Sequence, residues 1–175
     1  MKIYDISKFT KKNEGYELAT NYVYVTHTDT GIKYVATDSF RLVEIHLENE
    51  IAKTLVKEGF YDADVWKILS KAISKKERDE KLIASLSPKE TTQKFPEYAR
   101  LIPTETKPLE LCINRFDISL VVDLLKLIKD FSEVSATSEM KKAQQGIING
   151  ENPVLYYSCY KKSSTLKILL MPLNM

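Results

Sequence analysis

Glycine, cysteine and histidine are scarce in this chain: of 175 residues, five are Gly, two Cys and two His. Five glycines leave little material for loops that cradle phosphates, and neither GxGxxG nor GxxxxGK(S/T) occurs. Cys112 and Cys159 stand alone, with no CxxC pair and no flanking His, which argues against a zinc site. A disulfide between them stays open, although a Lys-rich chain without an export signal suits a reducing compartment and two small half-buried thiols. His27 and His46 fall at unlike positions of predicted strands, with no HExxH and no carboxylate cluster to complete a metal site. No GxSxG appears, and Glu77, Asp79 and Glu80 lie in a charge-mixed run that reads as solvated surface rather than paired catalytic carboxylates. The expectation is no enzyme: no catalytic residues, no metal and no cofactor.

Long apolar runs are missing as well. The stretches around 118–128 and 166–173 are interrupted by Asp123 and Lys126 or end too soon, whereas a spanning helix needs roughly 20 apolar residues. The opening MKIYDISKFTKK lacks the continuous apolar core of a signal peptide. A cytoplasmic protein without a membrane partner is expected. Nor is there an excess of one charge: 26 basic residues face 24 acidic ones, a net +2. Any nucleic-acid binding must therefore rest on charge gathered on one face.

What is present is ordinary globular material, 43% hydrophobic with ten Tyr and six Phe, enough for one domain or one and a half. The first 48 residues read as strands. Alternation of Ile3, Asp5 and Ser7 with Tyr4, Ile6 and Lys8 predicts one, and residues 22–28, 31–37 and 40–47 predict a meander with a turn at Thr37, Asp38 and Ser39. Val65, Ile68, Leu69, Ala72 and Ile73 recur at helical spacing and predict a helix over 63–76, with Asp62 or Asp64 as its cap. Residues 77–92 are polar and mixed, and 95–103 read as a short strand leading into an extended connection. A strand is expected at 109–113. A second helix over 117–131 is indicated by Ile118, Val121, Val122, Leu125 and Ile128. Residues 132–150 are ambiguous between a strand at 133–137 and a turn of helix at 140–145, and a hairpin of 154–160 with 165–171 closes the chain. The order indicates an α+β fold, with antiparallel sheets and two amphipathic helices.

Three segments carry a resemblance: Val35-Ala36-Thr37-Asp38-Ser39-Phe40-Arg41-Leu42; Phe95-Pro96-Glu97-Tyr98-Ala99-Arg100-Leu101-Ile102-Pro103; and Leu169-Leu170-Met171-Pro172-Leu173-Asn174-Met175. In order and in position they resemble the ATDxHRL, FPDYxRxxP and terminal VMPM segments of the bacterial sliding clamp, the β subunit of the replicative DNA polymerase. The resemblance implies a DNA-clamp-like fold and a non-enzymatic role in replication as a processivity factor, in which the three segments converge on a groove for short peptides of polymerase or repair proteins. Carried over by position, that groove uses Thr37, Ser39, Phe40, Arg41, Leu42, Pro96, Arg100, Leu101, Leu169, Met171, Pro172 and Leu173. The apolar members supply a floor for Leu or Phe anchors, and Arg41 with backbone groups orients the peptide. The plainer alternative is that these segments are core strands of the sheet.

This chain departs from the family at Phe40, where His is usual, at Ser39, where Gly is common, and at Asn174, where a basic residue is common. It is also short beside family chains of three domains. The resemblance implies a clamp-like domain of residues 1–106 without a clear first helix, and a C-terminal half-domain, 107–175, packed on it. Lys67, Lys71, Lys75 and Arg78 recur at i, i+4, i+8 and i+11, opposite the apolar stripe of the first helix. Residues 66–81 hold six basic against three acidic residues, a local +3 in a chain of +2. Such a stripe suits sequence-independent attraction to the phosphates of double-stranded DNA, and it equally suits a solubilising surface. Two functions are consistent with these features: a clamp-like protein that encircles DNA as a homo-oligomer, or a module or decoy that binds clamp-binding peptides without a ring.

Overall fold

The computed structural model describes residues 1–11, 17–103, 106–108, 118–132, 144–148, 152–161 and 164–171. Among these residues eight strands form one antiparallel sheet: β1 Tyr22–His27, β2 Ile32–Thr37, β3 Arg41–Leu47, β4 Gly59–Asp62, β5 Thr106–Pro108, β6 Gln144–Ile148, β7 Asn152–Lys161 and β8 Ser164–Leu170. Their spatial order is β4-β1-β2-β3-β8-β7-β6-β5. The sheet runs unbroken through its centre, where β3 and β8 pair from Arg41↔Leu170 to Leu47↔Ser164. The expected division at 106/107 falls inside β5. Among the described residues four helices complete the α+β fold: α1 Glu50–Leu55, α2 Ala63–Ser74, α3 Glu80–Ser85 and α4 Ile118–Ser132. In each half of the sheet a short outermost strand precedes a long helix, β4 before α2 and β5 before α4.

The period of two divides the sheet into two faces. Val23, Val25, Tyr34, Val43, Ile45, Leu166, Ile168 and Tyr157 point to one, where Trp66, Leu69 and Ile73 of α2 and Leu124, Leu127, Ile128 and Phe131 of α4 cover them. Trp66 anchors α2, its ring 4.9 Å from Tyr34 and 5.7 Å from Tyr61 and its indole N–H donating to the Tyr4 carbonyl at 3.4 Å. Val35, Leu42 and Leu169 point to the other face, against which Phe95, Tyr98, Leu101 and Ile102 pack.

Several expectations shift. Residues 3–8 form no strand; their end is a 3-10 turn, Ser7–Phe9, that buries Phe9, and Ser74 Oγ bonds both the N–H and the carbonyl of Ile3. The apolar face of α2 is rotated towards Trp66, leaving Ile68 48% exposed. On α4 the buried set likewise differs from the one expected, with Val122 41% exposed. Short helices α1 and α3 appear where none is expected, each opened by a side chain accepting a backbone N–H: Asn49 from Ala52, Asp79 from Leu82. Gln144–Ile148 is a strand rather than the end of a helical turn. The expected elements at 109–113 and 133–137, and Cys112, lie outside the described residues, while Cys159 is half-buried.

Candidate functional site

The turn between β2 and β3 is built by Asp38. Its Oδ1 accepts the backbone N–H groups of Phe40 and Arg41 at 3.0 and 2.8 Å, and its Oδ2 accepts Arg41 Nε at 2.9 Å. Ser39 takes φ +78°, the left-handed region, a physical reason for Gly to be common there. Phe40 is thereby turned outward, 55% exposed. Its carbonyl accepts the N–H of Met171 at 2.8 Å, which ties the segment after β8 to this turn.

Residues 95–102 lie across the outer face. Phe95 stacks on Tyr24, centroids 5.1 Å apart and planes 12° from parallel. A 3-10 turn, Tyr98–Leu101, replaces the expected strand. Three residues per turn bring Tyr98 and Leu101 to the same side. Between this turn, the β2–β3 turn and the end of β8 lies a cavity of about 200 Å³, lined by Thr20, Thr37, Ser39, Phe40, Arg41, Leu42, Pro96, Tyr98, Leu101, Leu169 and Met171. Its inner wall is the apolar cluster of Leu42, Leu169 and Tyr98. A cavity of roughly 150 Å³ accepts a benzene ring, so this one has room for a single large apolar side chain.

Nine of the residues read from the sequence thus meet around one cavity, Thr37, Ser39, Phe40, Arg41, Leu42, Pro96, Leu101, Leu169 and Met171. Pro172 and Leu173 lie outside the described residues. Arg100 is not in the lining: the 3-10 turn points it outward, 84% exposed and paired with Glu97 at 2.8 Å. Arg41 corrects a second expectation. Its side chain is 7% exposed, NH1 meets Asp123 of α4 at 3.2 Å, NH2 meets Asp38 at 2.9 Å and the Lys8 carbonyl at 3.4 Å, and its guanidinium lies 4.9 Å from the Phe9 ring centre. Arg41 thus braces the turn against α4, its guanidinium paired with two carboxylates. Burial pushes the Asp123 carboxyl up, but the Arg41 hydrogen bond and the charges of Lys8, Arg41 and Lys126 together hold it below the ordinary carboxylate value.

Two lining residues escape the sequence reading. Tyr98 sits inside the second motif, and the i, i+3 spacing to Leu101 is its signal once the segment is read as a turn. Thr20 comes from the short turn Ala19–Asn21 and has no signal. The basic stripe is shorter than expected. Lys67 and Lys71 are exposed on α2, but the helix ends at Ser74, Lys75 is extended, and Arg78 folds back so that its Nε donates to the Ile73 carbonyl at 3.2 Å. Among the described residues no helix is long and apolar enough to cross a membrane.

No family model and no curated protein matches the sequence. Among solved structures the chain is similar to a crystal structure of the C. crescentus beta sliding clamp with polyethylene glycol bound, at TM-score 0.43 and 13% identity. The match covers 98% of this chain and 62% of that one, so the chain spans less than two thirds of the clamp's length.

Proposed function

We propose that this chain is a non-enzymatic, sliding-clamp-like DNA replication protein that holds an apolar side chain of a partner peptide in the cavity beside Phe40. The observation that supports this reading is the meeting of three separate segments around one apolar recess rimmed by an exposed aromatic residue. The cavity suits a Leu or Phe anchor, with backbone groups of the surrounding turns to orient the peptide. Since Arg41 and Arg100 are paired elsewhere, the peptide is recognised by shape and apolar contact rather than by charge. On the opposite face, Lys67 and Lys71 suit a salt-dependent, sequence-independent association with double-stranded DNA.

The test is the affinity of a fluorescein-labelled peptide carrying adjacent Leu and Phe residues, read by anisotropy. Met171→Asp, which puts a carboxylate in the apolar recess, and Phe40→Asp, which removes the exposed aromatic rim, are each expected to weaken binding at least tenfold. Unchanged affinity in both variants contradicts the groove.

One observation favours the second reading, a peptide-binding module that forms no ring. The outer edge of β4 is occupied, since Lys89 N–H donates to the Phe60 carbonyl at 2.7 Å. At the other end, β5 carries Pro108, which has no backbone N–H to donate. Covered and proline-bearing edges resist pairing with another chain.

A further inference from the structure

The wall of the groove formed by Pro96, Tyr98 and Leu101 is a strap with few ties. Among the described residues, none of 90–102 shares a backbone hydrogen bond with a strand; the bonds they make are local, Tyr98 N–H to the Pro96 carbonyl and Ile102 N–H to that of Ala99. The strap is held by side chains: Phe95 on Tyr24 and Phe60, Leu101 and Ile102 in the cluster with Leu42 and Leu169, and one buried polar contact. In that contact Tyr98 Oη donates to Glu44 Oε2 at 2.7 Å. Glu44, on β3, is 5% exposed, and its second oxygen meets Nζ of Lys167, its register partner on β8, at 2.9 Å. The Tyr98 ring is also met edge-on by Phe95 at 5.8 Å and by Lys33 Nζ at 5.8 Å. Burial, the charge of Glu44 and the hydrogen bond to it all push the Tyr98 phenol upward, so it stays a donor.

A carboxylate on the face of a sheet is costly to bury, and this one is fully used: one oxygen by the cross-strand Lys167, the other by the strap. We propose that Glu44 is a positioning residue, which through Tyr98 fastens the strap to the sheet and so fixes one wall of the groove. It lines no part of the cavity itself. The inference rests on the groove reading for its effect on peptide binding, but not for the fastening.

Two readouts separate these. Trypsin cleavage after Lys94 and Arg100, both exposed on the strap, reports its opening under native conditions, and anisotropy of the Leu-Phe peptide reports the groove. Tyr98→Phe leaves one Glu44 oxygen without its partner, and Glu44→Val leaves the Tyr98 phenol without its acceptor and Lys167, one third exposed, to water, so each is expected to speed strap cleavage about tenfold or more and to weaken the peptide by a similar factor. Glu44→Gln keeps one acceptor oxygen for the phenol and loses the ion pair with Lys167, so it is expected to fall between the parent protein and Glu44→Val. The double change Glu44→Val with Tyr98→Phe removes both partners of that hydrogen bond, leaves Lys167 to water as Glu44→Val alone does, and should bring cleavage and affinity back from the Glu44→Val level towards the parent, since a matched apolar pair is nearly neutral. A plain packing defect predicts the opposite, a double variant worse than either single one. Tyr98→Phe, which deletes one oxygen, carries the test should Glu44→Val fail to fold. Unchanged cleavage in Tyr98→Phe overturns the proposal, and so does faster cleavage with unaltered peptide affinity. If the parent protein binds no peptide while cleavage shows the expected pattern, the groove reading fails and the fastening by Glu44 stands.

Discussion

Arg41 shows how far a motif residue's surroundings decide its work. The same position and the same side chain read as a peptide contact in one dimension and act as a strut in three. Its pairing with Asp123 makes a pH prediction. The Asp123 carboxyl lies below the ordinary value of 3.8 in the folded chain, so its contribution is complete above that value and is lost as the pH falls through the folded one. Asp123→Asn should therefore lower the urea midpoint at pH 5 to 7, and the gap to the parent protein should close below about pH 4. The effect should be on the order of 1 kcal/mol, small because Asp123 is partly exposed. A gap that does not vary with pH assigns no role to the ion pair. Nothing in the sequence indicates this bond, because its partners are 82 positions apart and Asp123 reads as a surface residue of an amphipathic helix.

At the scale of elements, legibility depends on local chemistry. The meander β1–β3, the hairpin β7–β8 and helices α2 and α4 are written in alternation and helical spacing, and each falls within two residues or so of its expected place. Where long-range packing decides, the sequence misleads. Ile3 and Ile6 fall on opposite faces of the expected strand, yet both are buried in the core, Ile3 bonded to Ser74 of α2, and the segment ends in a 3-10 turn. Residues 95–103 look extended because of their two prolines, but Tyr98 is drawn inward by Glu44, and the turn that results throws Arg100 outward while keeping Leu101 in the groove. Helices α1 and α3 are legible in principle: Asn49 before Glu50 and Asp79 before Glu80 are helix-opening patterns, masked because each helix they open is only six residues long.

For the whole molecule, the sheet divides labour between its faces. Helices α2 and α4 cover one and carry Lys67 and Lys71; the strap and the groove occupy the other. Self-association is the point on which the two proposed functions part. With Lys89 bridged to the outer edge of β4 and Pro108 on β5, the chain is expected to keep a monomer's mass in solution when duplex DNA is absent. A multiple of 20.1 kDa on adding DNA supports a ring, whereas a monomer mass with and without it supports the peptide-binding module. The claim common to both is that the recess beside Phe40 receives a peptide. Amide chemical shifts of the labelled protein, recorded during titration with the Leu-Phe peptide, test it most directly. Shifts are expected to gather at residues 37–42, Tyr98, Leu101, Leu169 and Met171, with Lys67 and Lys71 unmoved. Shifts confined to the helical face, or none at about 1 mM peptide, would contradict it.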